Sequence, residues 1–416
     1  MESRYYLGID LDDSNAVISY YTTEKKEPET VSPIAGSELF QIPAVLTQKR
    51  GIGQWFIGED AKKLAALQGN ECCENLLTKA INREKVLVEE MCYEAEELLA
   101  LFLKKLLLLP GRLGGGRRAD KLAITLESLS ERAVELFLNV TAQLGFSPEQ
   151  LMLLDRRESF YYFSYSQKEE LWLHDICLLD CRGEKVHCAL VERNQRTVPQ
   201  MITLTEKEGV LSTEDKDGSF LAFLQEVFAG RVISGVYLTG DGFEGDWMKR
   251  SLAFMCRGRR AFIGKNLYSK GACHAAFARE HPDLWQFVYM GENELKLNVS
   301  LKVENHGHTE LFSLLDAGTS WYEAQGECEV ILAEEPEIDF WLQLPGSREA
   351  KVEKLNLVDL PERPKRASRV RITAKPVSDS AVRIQIKDLG FGEFFKSSDK
   401  VWEYVMSIEG GAGWEN

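Results

Sequence analysis

The sequence predicts an α/β protein with a β-rich C-terminal part, and three observations carry that reading. An apolar run ending in aspartate, a polar turn and a second apolar run occur at Leu7–Tyr21 and again, about 170 residues later, at Ile176–Val191. Helical stretches separate the apolar runs of the first 280 or so residues, the alternation that builds α/β layers. Between residues 285 and 395 short apolar/polar alternations of period two take over, as in the strands of a sandwich. At 416 residues the chain is too long for one compact core, so two or three domains are expected, with boundaries at 1–170, 171–284 and 285–408.

Composition narrows the function classes. With 44% apolar and 28% charged residues the chain reads as an ordinary globular protein. A formal net charge of −15 argues against a nucleic-acid partner, which demands a basic face. No apolar run reaches the roughly 20 residues of a membrane span; Leu98–Leu109 is interrupted by Lys104 and Lys105. No membrane partner is expected. The N-terminus runs straight into a strand with no signal segment, and the nine cysteines include no CxxC pair, so reduced thiols and a cytoplasmic location are expected. His274, His281, His306 and His308 lack the spacing of a metal site.

Along the chain, Tyr5–Leu11 and Ala16–Tyr21 read as strands around the acidic turn Asp12-Asp13-Ser14-Asn15. Such a turn presents backbone N–H groups where phosphate, or a metal–phosphate pair, can bind; an ordinary acidic hairpin turn is the plainer alternative. Phe40–Leu46 and Trp55–Gly58 read as strands, and Gly58–Leu64 opens a helix. Leucines at helical spacing over 89–109 predict a long buried helix, ended by Pro110-Gly111 and the loop Gly114–Arg118. Leu122–Leu126 is a buried strand, Glu131–Leu144 a helix stopped by Gly145, Leu151–Asp155 a strand, and 157–167 a helix with an aromatic face. After the second hairpin, Val232–Leu238 leads into Thr239-Gly240-Asp241-Gly242-Phe243 and a helix from Asp246 to Phe254. Leu295–Leu301, Val352–Leu360, Arg369–Ala374 and Val382–Ile386 read as strands.

The duplicated strand–Asp–turn–strand unit, followed by a strand and a Gly-x-Gly turn, resembles the actin-like ATPase (ribonuclease H-like) fold. Segment order is most similar to that of DnaK-type heat-shock chaperones. Gly8-Ile9-Asp10-Leu11 through Ser14-Asn15 resembles that family's first phosphate loop, Asp180–Gly183 its second, and Gly240 and Gly242 its adenosine loop. Lys79 falls near its catalytic lysine, and Lys270–Ala276 resembles the helix that closes its nucleotide domain. Residues 352–386, with the proline turn Pro361-Glu362-Arg363-Pro364, resemble its β-rich peptide-binding domain, without a helical lid.

The resemblance implies two actin-like lobes, 1–170 and 171–284, and a peptide-binding domain at 285–408. It implies ATP or ADP with Mg²⁺ in the cleft, Asp10, Lys79 and Asp180 in catalysis, and Asp10 and Asp180 at the metal. Nucleotide contacts would come from Gly8, Asp12, Asp13, Ser14, Asn15, Arg182, Gly183, Gly240, Asp241, Gly242 and Phe243. A peptide or protein partner would bind the β-rich domain.

The departures fall on the chemistry. Asp12 and Asp13 stand where the family has glycine and threonine, and two carboxylates repel phosphate unless a cation lies between them. The second loop keeps one glycine, in Asp180-Cys181-Arg182-Gly183-Glu184-Lys185, and Arg157 or a neighbour aligns with the family's catalytic glutamate, with Glu158 one place away. Weak or absent hydrolysis is therefore expected. Two readings stand: a divergent chaperone or adaptor with a nucleotide cleft, and a non-enzymatic pseudo-ATPase that binds a partner but no nucleotide.

Overall fold

The computed structural model describes residues 4–34, 36–69, 71–114, 118–333 and 335–408. The chain divides into two compact units, Met1–Arg193 with Leu204–Gln286 and Asn194–Thr203 with Phe287–Asn416. It is a mixed α/β protein with several sheets.

In the first unit, β1 (Tyr5–Leu11) and β2 (Asn15–Thr22) form the first hairpin, with Leu11 opposite Ala16. Strands β3 (Glu29–Thr30) and β4 (Ile42–Pro43) both pair with β2. A peripheral portion follows: hairpin β5 (Leu46–Lys49)/β6 (Gln54–Ile57), α1 (Gly58–Gln68), α2 (Leu76–Ile81), hairpin β7 (Lys85–Val88)/β8 (Met91–Glu94), α3 (Ala95–Leu106) and α4 (Leu108–Gly114). The single helix expected over 89–109 is thus strand β8 followed by two helices. Pro110 lies in the first turn of α4, where a missing N–H forfeits no helical bond. Gly115–Arg117 of the expected glycine loop lie outside the described residues.

Next come β9 (Lys121–Leu126), α5 (Glu131–Gln143), β10 (Leu151–Asp155) and α6 (Arg156–Tyr165). Ser130 caps α5 by accepting the Ala133 N–H at 3.2 Å, and Gly145, at φ +85°, follows its C-terminus. The sheet runs β10-β9-β1-β2-β3, with β1, β9 and β10 mutually parallel. Their C-terminal ends therefore lie along one edge.

The second sheet repeats that plan. Its elements are β11 (Asp175–Arg182), β12 (Lys185–Asn194), β13 (Gln200–Val210), α7 (Lys216–Val227), β14 (Ile233–Thr239), α8 (Arg250–Met255), β15 (Arg260–Ile263) and α9 (Leu267–Glu280). The order is β15-β14-β11-β12-β13, with the hairpin's first strand again parallel to a later one. The helix expected from Asp246 starts only at Arg250, and Asp241–Phe243 forms a single 3-10 turn. Helix α9 returns to the first sheet and packs on β1 and α6. The approach is so close that a Cβ on Gly8 would lie 2.1 Å from the Ser269 carbonyl oxygen, and one on Gly271 would lie 1.9 Å from that of Ser159.

In the second unit, β16 (Phe287–Tyr289) pairs with Gln200–Ile202. The remainder is β17 (Asn298–Asn305), β18 (His308–Leu315), β19 (Gly326–Ile331), β20 (Glu337–Gln343), β21 (Lys351–Asn356), β22 (Arg369–Pro376), β23 (Ala381–Gly390) and β24 (Val401–Ser407). They form two four-stranded antiparallel sheets, β18-β17-β20-β21 and β19-β22-β23-β24. The period-two pattern sets the core: on β23, Val382, Ile384 and Ile386 are buried while Arg383, Gln385 and Lys387 are exposed. Two strands have other bounds than the sequence reading. β17 starts only at Asn298, so the buried Leu295 and Leu297 precede it, and β21 stops at Asn356 rather than Leu360.

Candidate functional site

Because β1 and β10 are parallel, the first residue after β10 reaches the end of β1. Asp155 caps α6 by accepting the Glu158 N–H at 2.7 Å, which turns the chain and sets Arg156 at the start of the helix. Arg156 then reaches across to the first hairpin. Its Nε donates to Asp10 Oδ1 at 3.0 Å and its Nη2 to Asp12 Oδ2 at 2.7 Å. The guanidinium lies 5.3 Å from the ring centre of Tyr268, which α9 supplies. A positive charge thus fills the space between Asp10 and Asp12.

Asp12 also closes its own turn. Its Oδ1 accepts the backbone N–H groups of Ser14 and Asn15, each at 2.8 Å. Burial pushes the Asp12 carboxyl up, but Arg156 and these two amides more than reverse it and hold it below the usual range. Asp10 ends above its usual range, because burial outweighs the attraction of Arg156. Asp13 is committed elsewhere: its Oδ1 accepts the Thr78 N–H at 3.0 Å and its Oδ2 the Thr78 hydroxyl, in the first turn of α2.

The second hairpin brings its own cation. Arg182 Nη2 lies 3.3 Å from Asp180 Oδ2, and Asp180 Oδ1 is buried without a hydrogen-bond partner. Tyr268 is buried, which raises its hydroxyl pKa, and it feels the charges of Asp180, Arg156, Asp10 and Arg182. Asp10, Asp180, Arg156 and Arg182 thus gather around one tyrosine, with Asp12 joined to them through Arg156.

The other expected residues divide by what they touch. The Gly183 N–H donates to Asp241 Oδ1 at 3.3 Å, so an acidic side chain holds that turn. Gly240 and Gly242 serve close packing: a Cβ on Gly240 would lie 2.2 Å from the Cys181 carbonyl oxygen, and one on Gly242 would lie 2.4 Å from Cys181 Sγ. Phe243, expected at adenosine, is buried in the core with Phe220 and Trp247. Gly8 lies under α9 rather than facing a ligand. Lys79 sits in the last turn of α2, near the Cys73 thiol. The N–H groups expected to cradle phosphate at Ser14 and Asn15, and the seat expected for Mg²⁺ at Asp10, are thus filled by the chain's own groups. At the second hairpin, by contrast, Asp180 Oδ1 stays without a hydrogen-bond partner. Sequence reasoning missed Arg156 and Tyr268. The signal for Arg156 was its place directly after a buried strand that runs parallel to β1.

A second feature lies in the sandwich. β18 and β19 are edge strands of opposite sheets. They touch where Gly326 faces Leu314; a Cβ there would lie 2.1 Å from the Leu314 carbonyl oxygen. No ladder joins them among the described residues. Phe312, opposite Leu301, and Cys328 and Val330, opposite Ile372 and Val370, turn toward the interior. They stay incompletely covered, Phe312 at 41% exposure, beside half-buried Val303. The sandwich therefore has an apolar slot open along one side.

Two family matches divide the chain near residue 293, close to the boundary between the two units, and the first of them begins after the β1/β2 hairpin. The chain belongs to a family of unknown function, DUF5716, whose C-terminal model matches residues 27–292. Residues 294–408 match a domain of unknown function, DUF8552. No curated protein matches the chain. No helix among the described residues is long and apolar enough to cross a membrane.

Proposed function

We propose that this protein is a non-enzymatic partner-binding protein built on a duplicated actin-like ATPase-type core, and that it binds no nucleotide. The observation that carries the reading is Arg156 bridging Asp10 and Asp12 while Asp12 occupies the turn amides. By the resemblance, Mg²⁺ and phosphate would bind where Arg156 and the Asp12 carboxylate lie, and displacing Arg156 would leave the largely buried Asp10 unpaired. The slot between β18 and β19 supports the binding half: an extended apolar segment of a protein partner would cover Phe312, Cys328 and Val330.

The alternative is a nucleotide cleft, favoured by one observation, the buried Asp180 Oδ1 that lacks a hydrogen-bond partner. Anisotropy titration of labelled extended apolar peptides, with and without Mg-ATP, separates the readings. We expect binding that ignores nucleotide and falls at least about tenfold in Val330→Asp, which buries a charge in the slot. Peptide affinity that changes with ATP would favour the nucleotide cleft, and affinity unchanged in Val330→Asp would remove the slot.

A further inference from the structure

The connection between β23 and β24 is held far more firmly than an ordinary surface turn. Its anchor is Asp388, which is fully buried and bound on both oxygens by Arg363, at 2.7 Å each. Asp388 also accepts the Gly390 N–H at 2.9 Å, the Ser398 N–H at 2.8 Å and the Ser398 hydroxyl at 2.7 Å. The Ser397 hydroxyl donates to the Asp388 carbonyl, and Arg363 donates to the Lys396 carbonyl at 2.9 Å. Across the tip, the Phe391 N–H donates to the Phe395 carbonyl oxygen at 2.6 Å. Gly390, at φ +66°, permits that closure, since a Cβ there would lie 2.2 Å from the same carbonyl.

What this lattice presents is aromatic. Phe394 is 94% exposed and Phe391 40%. Neither ring is needed to close the turn, which is built from backbone, serines and the Arg–Asp pair. A rigid loop that displays a phenyl ring has already met the ordering cost that binding imposes, and buried aromatic anchors dominate the energetics of interfaces.

The charges around the loop narrow the partner. Lys387 faces Asp399 and Lys400 faces Asp359, at 3.9 and 3.2 Å, so the flanks are internally neutralised. Glu393 and Lys396, one of each sign, complete the tip. A surface of balanced charge gains little from an anionic membrane or a nucleic acid, both of which reward net positive charge. We propose that Gly390–Lys400 is a preformed docking knob: Phe394 inserts into an apolar pocket on a protein partner whose rim carries a carboxylate for Lys396 and a cation for Glu393.

The test places a photoreactive p-benzoylphenylalanine at position 394 of the full chain in cells, with the same residue at exposed Lys63, outside the knob, as control. Adducts are identified by mass spectrometry, and the purified partner is titrated against wild type, Phe394→Ser, Lys396→Glu and Asp388→Asn. We expect one protein adduct specific to position 394. Affinity should fall at least about 30-fold in Phe394→Ser, which leaves the melting temperature unchanged, and about threefold in Lys396→Glu. Asp388→Asn, which keeps the ring but loosens its support, should also weaken binding. Absence of a position-specific adduct, a lipid adduct with binding to phosphatidylglycerol vesicles, an adduct to a second copy of this chain, or a partner that binds Phe394→Ser as well as wild type would each overturn the proposal.

Discussion

Single residues carry both the pairing and the pH behaviour. Arg363 and Asp388 form the most deeply buried ion pair among the described residues for which exposure is given, 3% and 0%. Arg363→Met strands the carboxylate and should cost about 3–5 kcal/mol in urea denaturation; a change below about 1 kcal/mol would mean the pair is not structural. His274 tests a different sign. Burial pushes its imidazole down to about 3, so the folded state keeps it neutral where the unfolded chain would charge it. Above its ordinary value of about 6.5 it exerts no pull on stability. As pH falls from there toward 3, the unfolded state takes up the proton first and stability drops. Burial raises the Asp388 carboxyl, but Arg363 and the amides of Ser398 and Gly390 hold it well below the usual range. Its contribution is present above about pH 4 and is lost only in stronger acid. Unfolding curves at pH 7 and 4.5 should therefore converge in His274→Leu relative to wild type; an unaltered difference would show that His274 is not the titrating group.

At the level of elements, the two hairpins were legible because period-two apolar runs around an acidic turn are local in sequence. Boundaries were less so: α8 starts four residues after Asp246, and the expected long helix divides at Leu107, since capping and packing decide where helices end. The charge compensation was not legible. Arg156 meets Asp10 across 146 residues, and only the parallel placement of β10, β9 and β1 brings them together. The same placement yields a test. Arg156→Ala should release Asp10 and Asp12 as a pair of carboxylates able to hold a divalent cation. Mg²⁺ should then raise the melting temperature of the variant but not of wild type. Equal responses would mean that Arg156 does not hold the cation seat. Gly8→Ala addresses the α9 contact: its Cβ would meet the Ser269 carbonyl, so a loss of about 3 kcal/mol or more is expected by calorimetry.

For the whole molecule, the change from α/β to sandwich was visible as a change of period near residue 285, and the structural divide falls at Gln286/Phe287. The membership of Asn194–Thr203 in the second unit was not visible, because it depends on Gln200–Ile202 pairing with β16 almost 90 residues on. The site residues were partly legible: Asp10, Asp180 and Arg182 come together around Tyr268 and Asp12 joins Asp10 through Arg156, while Gly8, Asp13 and Phe243 are engaged in structure. What the motifs conveyed was the pair of acidic hairpins, and what they concealed was the Arg156 contact to Asp10 and Asp12.

Arg156 and the Asp12 carboxylate are proposed to take the places of magnesium and phosphate. Isothermal titration of the full chain with ATP and with ADP, each with and without Mg²⁺, tests that proposal most directly. No binding heat above dilution is expected in any of the four titrations. Saturable, stoichiometric binding that depends on Mg²⁺ would contradict it.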